Sequence, residues 1–264
     1  MRRLLSFACA DAELAASLDG SGGATGLLLV TGGSQTRIGS HRMYERLAKS
    51  LAERGYPCFR YDRRGVGDSG GEDPGFRGSG PDLAAAAAAF RTESLSLERI
   101  VGFGLCDGAT ALALFGAEAG LSGLILVNPW LVEADAGEPP PAAVRSHYRR
   151  RLLSREGWKK LLSGAVDIRK LFRSLRKIIG KPEESPLARD AALALSAGRL
   201  RAWAIFAEGD ATAIAAQREL AAPAFRGLIE GSQKVATDSH TFARPGDDAA
   251  LLAAALRALE ALDS

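Results

Sequence analysis

Short apolar runs, most of them closed by glycine, asparagine or a charged residue, alternate along this chain with stretches whose apolar positions recur at helical spacing. Gly26–Thr31, Pro57–Tyr61, Arg99–Phe103, Leu124–Val127 and Arg201–Ala207 are mostly apolar throughout and predict strands buried on both faces. Between them, His41–Arg54 repeats apolar residues at Tyr44, Leu47, Ala48 and Leu51 and stops at Gly55. Pro81–Arg91 predicts an alanine-rich helix with proline in its first turn, and Ala109–Ala119 a second small-residue helix. Asp247–Leu262 predicts a closing amphipathic helix, and Leu4–Ala8 with Leu14–Leu18 an antiparallel pair at one edge. Strands alternating with helices predict an α/β protein, with a mostly parallel central sheet and helices on both faces.

The rhythm stops between Glu133 and Gly198. Ala134–Pro141 is rich in proline and acidic residues and reads as a linker. Basic amphipathic stretches follow, broken at Gly157, Gly164, Gly180 and the Lys181–Pro186 turn. An insertion of this length between two core strands predicts a helical cap, 134–198, over one end of the sheet, with the core divided into 1–133 and 199–264.

Composition narrows the class. With 264 residues, 47% hydrophobic and 25% charged, the chain carries enough apolar material for a large core, which excludes disorder as its main state. No apolar run reaches the ~18–20 residues needed to cross a bilayer. The Met1-Arg2-Arg3 start lacks a long enough apolar segment behind it for a signal peptide, and three cysteines without C-x-x-C spacing suit a reducing compartment. A cytoplasmic location is therefore expected.

The net charge of +3 conceals an uneven distribution. Arg145, Arg149, Arg150, Arg151, Arg155, Lys159, Lys160, Arg169, Lys170, Arg173, Arg176, Lys177 and Lys181 face only Glu156 and Asp167 within that stretch, so the rest of the chain is net acidic. Such a stretch suits an anionic substrate, an acidic partner or peripheral contact with a membrane surface; a solvated helical face would read the same way. Scarce aromatics and the absence of a recognition motif argue against nucleic acid.

Ligands of open parallel sheets bind beyond the carboxyl ends of the strands, so reactive residues are sought there. Gly104-Leu105-Cys106-Asp107-Gly108 follows a predicted strand and opens a small-residue helix, the pattern of a nucleophile elbow with cysteine in place of serine. The sharp turn needs small residues at 104 and 108, and the helix N-terminus favours a thiolate. Asp107 beside the thiol opposes that tendency. Of three histidines, His240 lies after the last strand signal and before the final helix, where a loop returns over the strand ends to serve as base. Asp210, just past the strand ending at Ala207, is the candidate to orient the imidazole, with Glu208 and Asp238 as rivals; Asp210 also suits the cap of a helix beginning near Thr212.

The order nucleophile, acid, histidine resembles that of the α/β-hydrolase fold, and Tyr61–Ser69 resembles the D-x-R-G-x-G-x-S segment after its fourth strand. More closely, Thr31–Arg42, Gly104-Leu105-Cys106-Asp107 and Asp238–Phe242 resemble the bacterial hydrolase 1 group associated with the exosortase A system. That resemblance implies Cys106 as nucleophile, His240 as base, Asp210 as orienting acid, and oxyanion stabilisation by backbone N–H groups of Asp107 and of Gly33 or Ser34. Arg37 and His41 would line the entrance. It implies an acyl-enzyme hydrolase of a small-molecule carboxylic ester or thioester; a substrate that is anionic or carrier-linked would match the basic stretch. No dinucleotide fingerprint or metal-ligand cluster appears in the sequence, so no cofactor is implied. Acyl transfer to a sugar or alcohol, and a non-catalytic scaffold on the same fold, are the alternatives.

Overall fold

A computed structural model of the chain describes residues 1–132 and 185–263. Within them eight strands form one sheet in the order β1-β2-β4-β3-β5-β6-β7-β8. Their ranges are β1 Arg2–Cys9, β2 Ala12–Asp19, β3 Thr25–Val30, β4 Cys58–Tyr61, β5 Arg99–Leu105, β6 Gly123–Val127, β7 Ala202–Ala207 and β8 Ile229–Val235. β1 and β2 are antiparallel to each other, and β2 is antiparallel to β4; the remaining pairs are parallel. The edge hairpin expected from Leu4–Ala8 and Leu14–Leu18 is present, with Leu4 opposite Ser17 and Ala8 opposite Glu13.

The helices are α1 Met43–Ala52, α2 Gly80–Glu93, α3 Asp107–Phe115, α4 Pro186–Ala197, α5 Ala211–Leu220 and α6 Asp247–Asp263. Successive side chains of a strand point to opposite faces, and here each face meets its own helical layer. Leu28 and Val30 of β3 and Leu124 and Leu126 of β6 pack in one core with residues of α2, α3 and α4. Leu27 and Leu29, with Ile125 and Val127, pack in the other core with α1 and α6. The alanines of α2 keep that helix slim, and Gly26 of β3 leaves room for its Phe90: a Cβ at Gly26 would stand 2.6 Å from the Phe90 ring.

Two boundaries differ from expectation. The helix predicted from His41 starts at Met43, because His41 and Arg42 hold φ of 42° and 65° in a separate turn. The end of the expected 134–198 cap differs as well. Most of it lies outside the described residues, but Pro186–Ala197 forms α4, whose Leu187, Ala188, Ala191, Ala192 and Leu195 are buried in the helical layer beside α3. Its apolar stripe packs against α3, which places it in the core.

Candidate active site

The centre of the site is the turn between β5 and α3. Cys106 holds φ 60° and ψ −127°, a conformation sparsely populated by residues with a Cβ, and the surrounding backbone enforces it. Its N–H donates to the Val127 carbonyl of β6 at 3.0 Å, and its carbonyl accepts from Trp130 N at 3.1 Å. A Cβ at Gly104 would lie 2.8 Å from the Gly108 carbonyl, and one at Gly108 would lie 2.5 Å from the Val30 carbonyl. Both glycines are there because strand and helix backbones approach this closely. Cys106 is half-buried, whereas Cys9 and Cys58 are fully buried. Burial pushes the Cys9 thiol up to about 11, with Asp82 adding to it, and burial pushes the Cys58 thiol well up. Both are inert core residues.

His240 and Asp210 meet at this turn from two other loops. His240 Nδ1 lies 3.0 Å from Asp210 Oδ2. A carboxylate only accepts, so Nδ1 carries the hydrogen and Nε2 is left for Cys106. The imidazole is pushed up to about 10, first by its hydrogen bond to Asp210 and next by its hydrogen bond to Cys106, against the opposing effect of burial. Asp210 follows β7 and is nearly buried, and the same Oδ2 accepts from Ala213 N at 2.9 Å at the start of α5. Both functions foreseen for Asp210, helix cap and histidine partner, therefore converge on one oxygen. The rival Asp238 is turned to Arg244, at 3.0 Å.

Asn128 was legible in the sequence only as a strand stop, yet it ties the site together. It is fully buried; its Oδ1 accepts from Ala207 N at 2.9 Å and its Nδ2 donates to the His240 carbonyl at 3.0 Å. The end of the strand bearing the acid and the histidine loop are thus pinned to one side chain. Farther along that loop, Thr237 Oγ1 donates to Asp247 Oδ2 at 2.7 Å, anchoring it to α6.

The loop after β3 supplies the other wall. Gly33 and Ser34 are exposed there, beside the elbow. The Gly33 N–H is already engaged: it donates to Asp107 Oδ1 at 2.6 Å. Arg37, expected at the entrance as a substrate contact, instead faces inward. Its backbone N–H and Nη1 both donate to the buried Asp62, its Nη2 pairs with Asp68 at 2.9 Å, and its Nε donates to Ser17. A buried carboxylate needs this much compensation, so the guanidinium is consumed in holding the loop. His41 also has partners. Its Nε2 lies 2.7 Å from the Thr241 carbonyl and its Nδ1 accepts from Arg46 at 3.1 Å, so it fastens the β3 loop to the histidine loop. Among the described residues no group of three or more His, Cys, Asp or Glu is placed to hold a metal ion, and no helix is long and apolar enough to cross a membrane.

A mostly parallel eight-stranded sheet, with a strained elbow after one central strand and an acid and a histidine on later loops, defines an α/β hydrolase. Within that class, the serine aminopeptidase S33 family matches residues 30–206, and the chain belongs to it. The family name specifies a serine; at the elbow this chain carries Cys106. Solved structures agree on the fold. The esterase PF2001 of Pyrococcus furiosus is 13% identical and superposes with a TM-score of 0.67, covering 98% of this chain and 91% of its own. The α/β hydrolase GrgF of Penicillium sp. sh18 is 18% identical, with a TM-score of 0.63 and coverage of 99% and 98%. A hydrolase of Pseudomonas aeruginosa PA01 is 20% identical, with a TM-score of 0.59 and coverage of 97% and 98%. No curated protein matches the chain.

Proposed function

We propose that the protein hydrolyses a carboxylic ester or thioester through a Cys106–His240–Asp210 triad. In the first step the Cys106 sulfur attacks the carbonyl carbon, forming the S–C bond while the thiol proton passes to His240 Nε2. The tetrahedral intermediate then collapses, the bond to the leaving alcohol or thiol breaks, and the imidazolium returns the proton to it. In the second step His240 takes a proton from water, the hydroxide attacks the thioester carbonyl, and the acid leaves as Cys106 regains its hydrogen. Asp210 keeps the hydrogen on Nδ1 throughout. The proton affinity of His240, raised to about 10 by Asp210 and Cys106, stabilises the imidazolium that forms once the thiol has given up its proton. The likeness of the elbow, the β3 loop and the histidine loop to exosortase A-associated hydrolases supports a place in exopolysaccharide or protein-sorting metabolism.

The observation that carries this reading is the half-buried cysteine on a strained turn, beside an imidazole that a nearly buried carboxylate orients at 3.0 Å. Intact-mass analysis after mixing with activated esters and thioesters tests it. The expected result is one acyl adduct, absent in Cys106→Ala and formed about 10²–10⁴-fold more slowly in His240→Ala. Equal acylation with and without His240 would make Cys106 an incidental thiol. Product analysis with an added hydroxyl acceptor distinguishes hydrolysis from acyl transfer.

A further inference from the structure

The nucleophile's neighbour occupies the place where a substrate oxygen must go. When the Cys106 sulfur bonds to a carbonyl carbon, the carbonyl π pair moves onto oxygen, and that oxyanion needs backbone N–H donors of Asp107 and of the β3 loop. The Gly33 N–H on that loop instead donates to Asp107 Oδ1 at 2.6 Å. The fit is close: a Cβ at Gly32 would lie 2.4 Å from that same oxygen and 3.2 Å from the Cys106 Cβ. The carboxylate thus lies in the hollow that glycine leaves, beside the nucleophile. Among the described residues the hydrogen bond that the Asp107 side chain accepts comes from the Gly33 N–H.

We propose that Asp107 gates the oxyanion hole and selects acyl donors by charge. A donor bearing a cation next to Asp107 draws the carboxylate off Gly33, whereas neutral and anionic donors must expel it unaided. Two negative oxygens cannot share one N–H, so carboxylate and oxyanion exclude each other. This inference rests on the reading of Cys106 as nucleophile.

Three thioacetates with matched thiol leaving groups test it: acetylthiocholine, which is cationic, S-ethyl thioacetate, which is neutral, and S-acetyl-2-mercaptoethanesulfonate, which is anionic. In the wild type kcat/KM should be at least about tenfold higher for the cationic donor than for the anionic one. In Asp107→Asn and Asp107→Ala that ratio should fall towards one. The rate with the neutral donor should rise about 10- to 100-fold, the range of a charge-assisted hydrogen bond converted at a factor of ten per 1.36 kcal/mol. The asparagine variant keeps the shape of the side chain and reads the effect even where alanine disturbs the start of α3. A wild-type preference for the sulfonate, or an unchanged ratio in Asp107→Asn, overturns the gate while His240-dependent acylation of Cys106 leaves the nucleophile in place. Acylation that does not need His240 removes both.

Discussion

Asp210 uses one carboxylate oxygen for two purposes, and substitution can separate them. Asparagine at 210 can still accept from Ala213 N, so the cap of α5 is largely kept. Its amide N–H₂, turned to the ring, would force the opposite tautomer and leave a hydrogen on the nitrogen that must receive the thiol proton. Asp210→Asn should therefore lower kcat by up to ~10⁴ with a loss of stability within ~1 kcal/mol, whereas Asp210→Ala should lose the cap as well, at ~0.5–2 kcal/mol. Steady-state kinetics beside urea unfolding read the two effects separately. His240 carries a second prediction. Its affinity for protons is raised to about 10 in the folded chain from an ordinary 6.5, so the native state binds more protons than the unfolded state between those values. The stabilisation is complete below about pH 6.5 and is lost as pH rises towards 10. Thermal unfolding scans should show wild type losing Tm relative to His240→Asn across that window, and parallel curves would contradict it.

At the scale of elements, the site stands on a buried ionic network that reaches from the sheet edge to the β3 loop. Arg60 in β4 is 1% exposed and donates to Asp19 Oδ2 through Nε at 3.1 Å and Nη2 at 2.7 Å, and its Nη1 donates to the Arg37 carbonyl at 2.9 Å. Arg37 in turn holds Asp62, whose other contacts order the turn at Gly67 and Asp68. Arg60→Met leaves Asp19 with Arg2 alone and the Arg37 carbonyl bare, so it should cost ~3–5 kcal/mol in urea unfolding. Arg2→Met, at the more exposed end of the same network, should cost under ~1 kcal/mol. None of this could be read from the residue order, because Arg60 looks like an ordinary polar interruption of Pro57–Tyr61. Other elements were plain: β3, β5 and β6 are apolar on both faces, and that pattern has no competing interpretation in a chain of alternating helices and strands. β8 shows the converse. Ile229–Val235 carries Glu230 and the polar run Ser232-Gln233-Lys234 and is interrupted by Gly231, since it lies at the sheet edge and buries little beyond Val235. Its pattern therefore resembles a loop.

At the scale of the molecule, topology explains why the residues of the proposed triad could be picked out from the sequence and their restraints could not. Parallel strands end on the same side of a sheet, so Cys106 after β5, Asp210 after β7 and His240 after β8 share one edge whatever lies between them. Asn128, His41 and the Asp107 side chain act through contacts between loops distant in sequence, and no spacing rule encodes such contacts.

Charge is organised on the same scale. Residues 145–181, which lie outside the described residues, hold the long run of arginines and lysines opposed only by Glu156 and Asp167, while the whole chain is only +3. We propose that this run draws the protein to anionic bilayers, with the net acidic remainder repelled from the same surface. Each lysine or arginine near an anionic leaflet contributes about 1 kcal/mol, and that attraction extends over a Debye length of about 8 Å at physiological salt. Co-sedimentation with phosphatidylglycerol vesicles should be strong at low ionic strength and lost as salt is raised to molar concentration. Pure phosphatidylcholine vesicles should retain little protein, and reversing Arg149, Arg150 and Arg151 to glutamate should weaken binding without altering turnover of a soluble thioester. Absence of binding to phosphatidylglycerol vesicles, or binding that is indifferent to salt and lipid charge, would overturn this electrostatic reading.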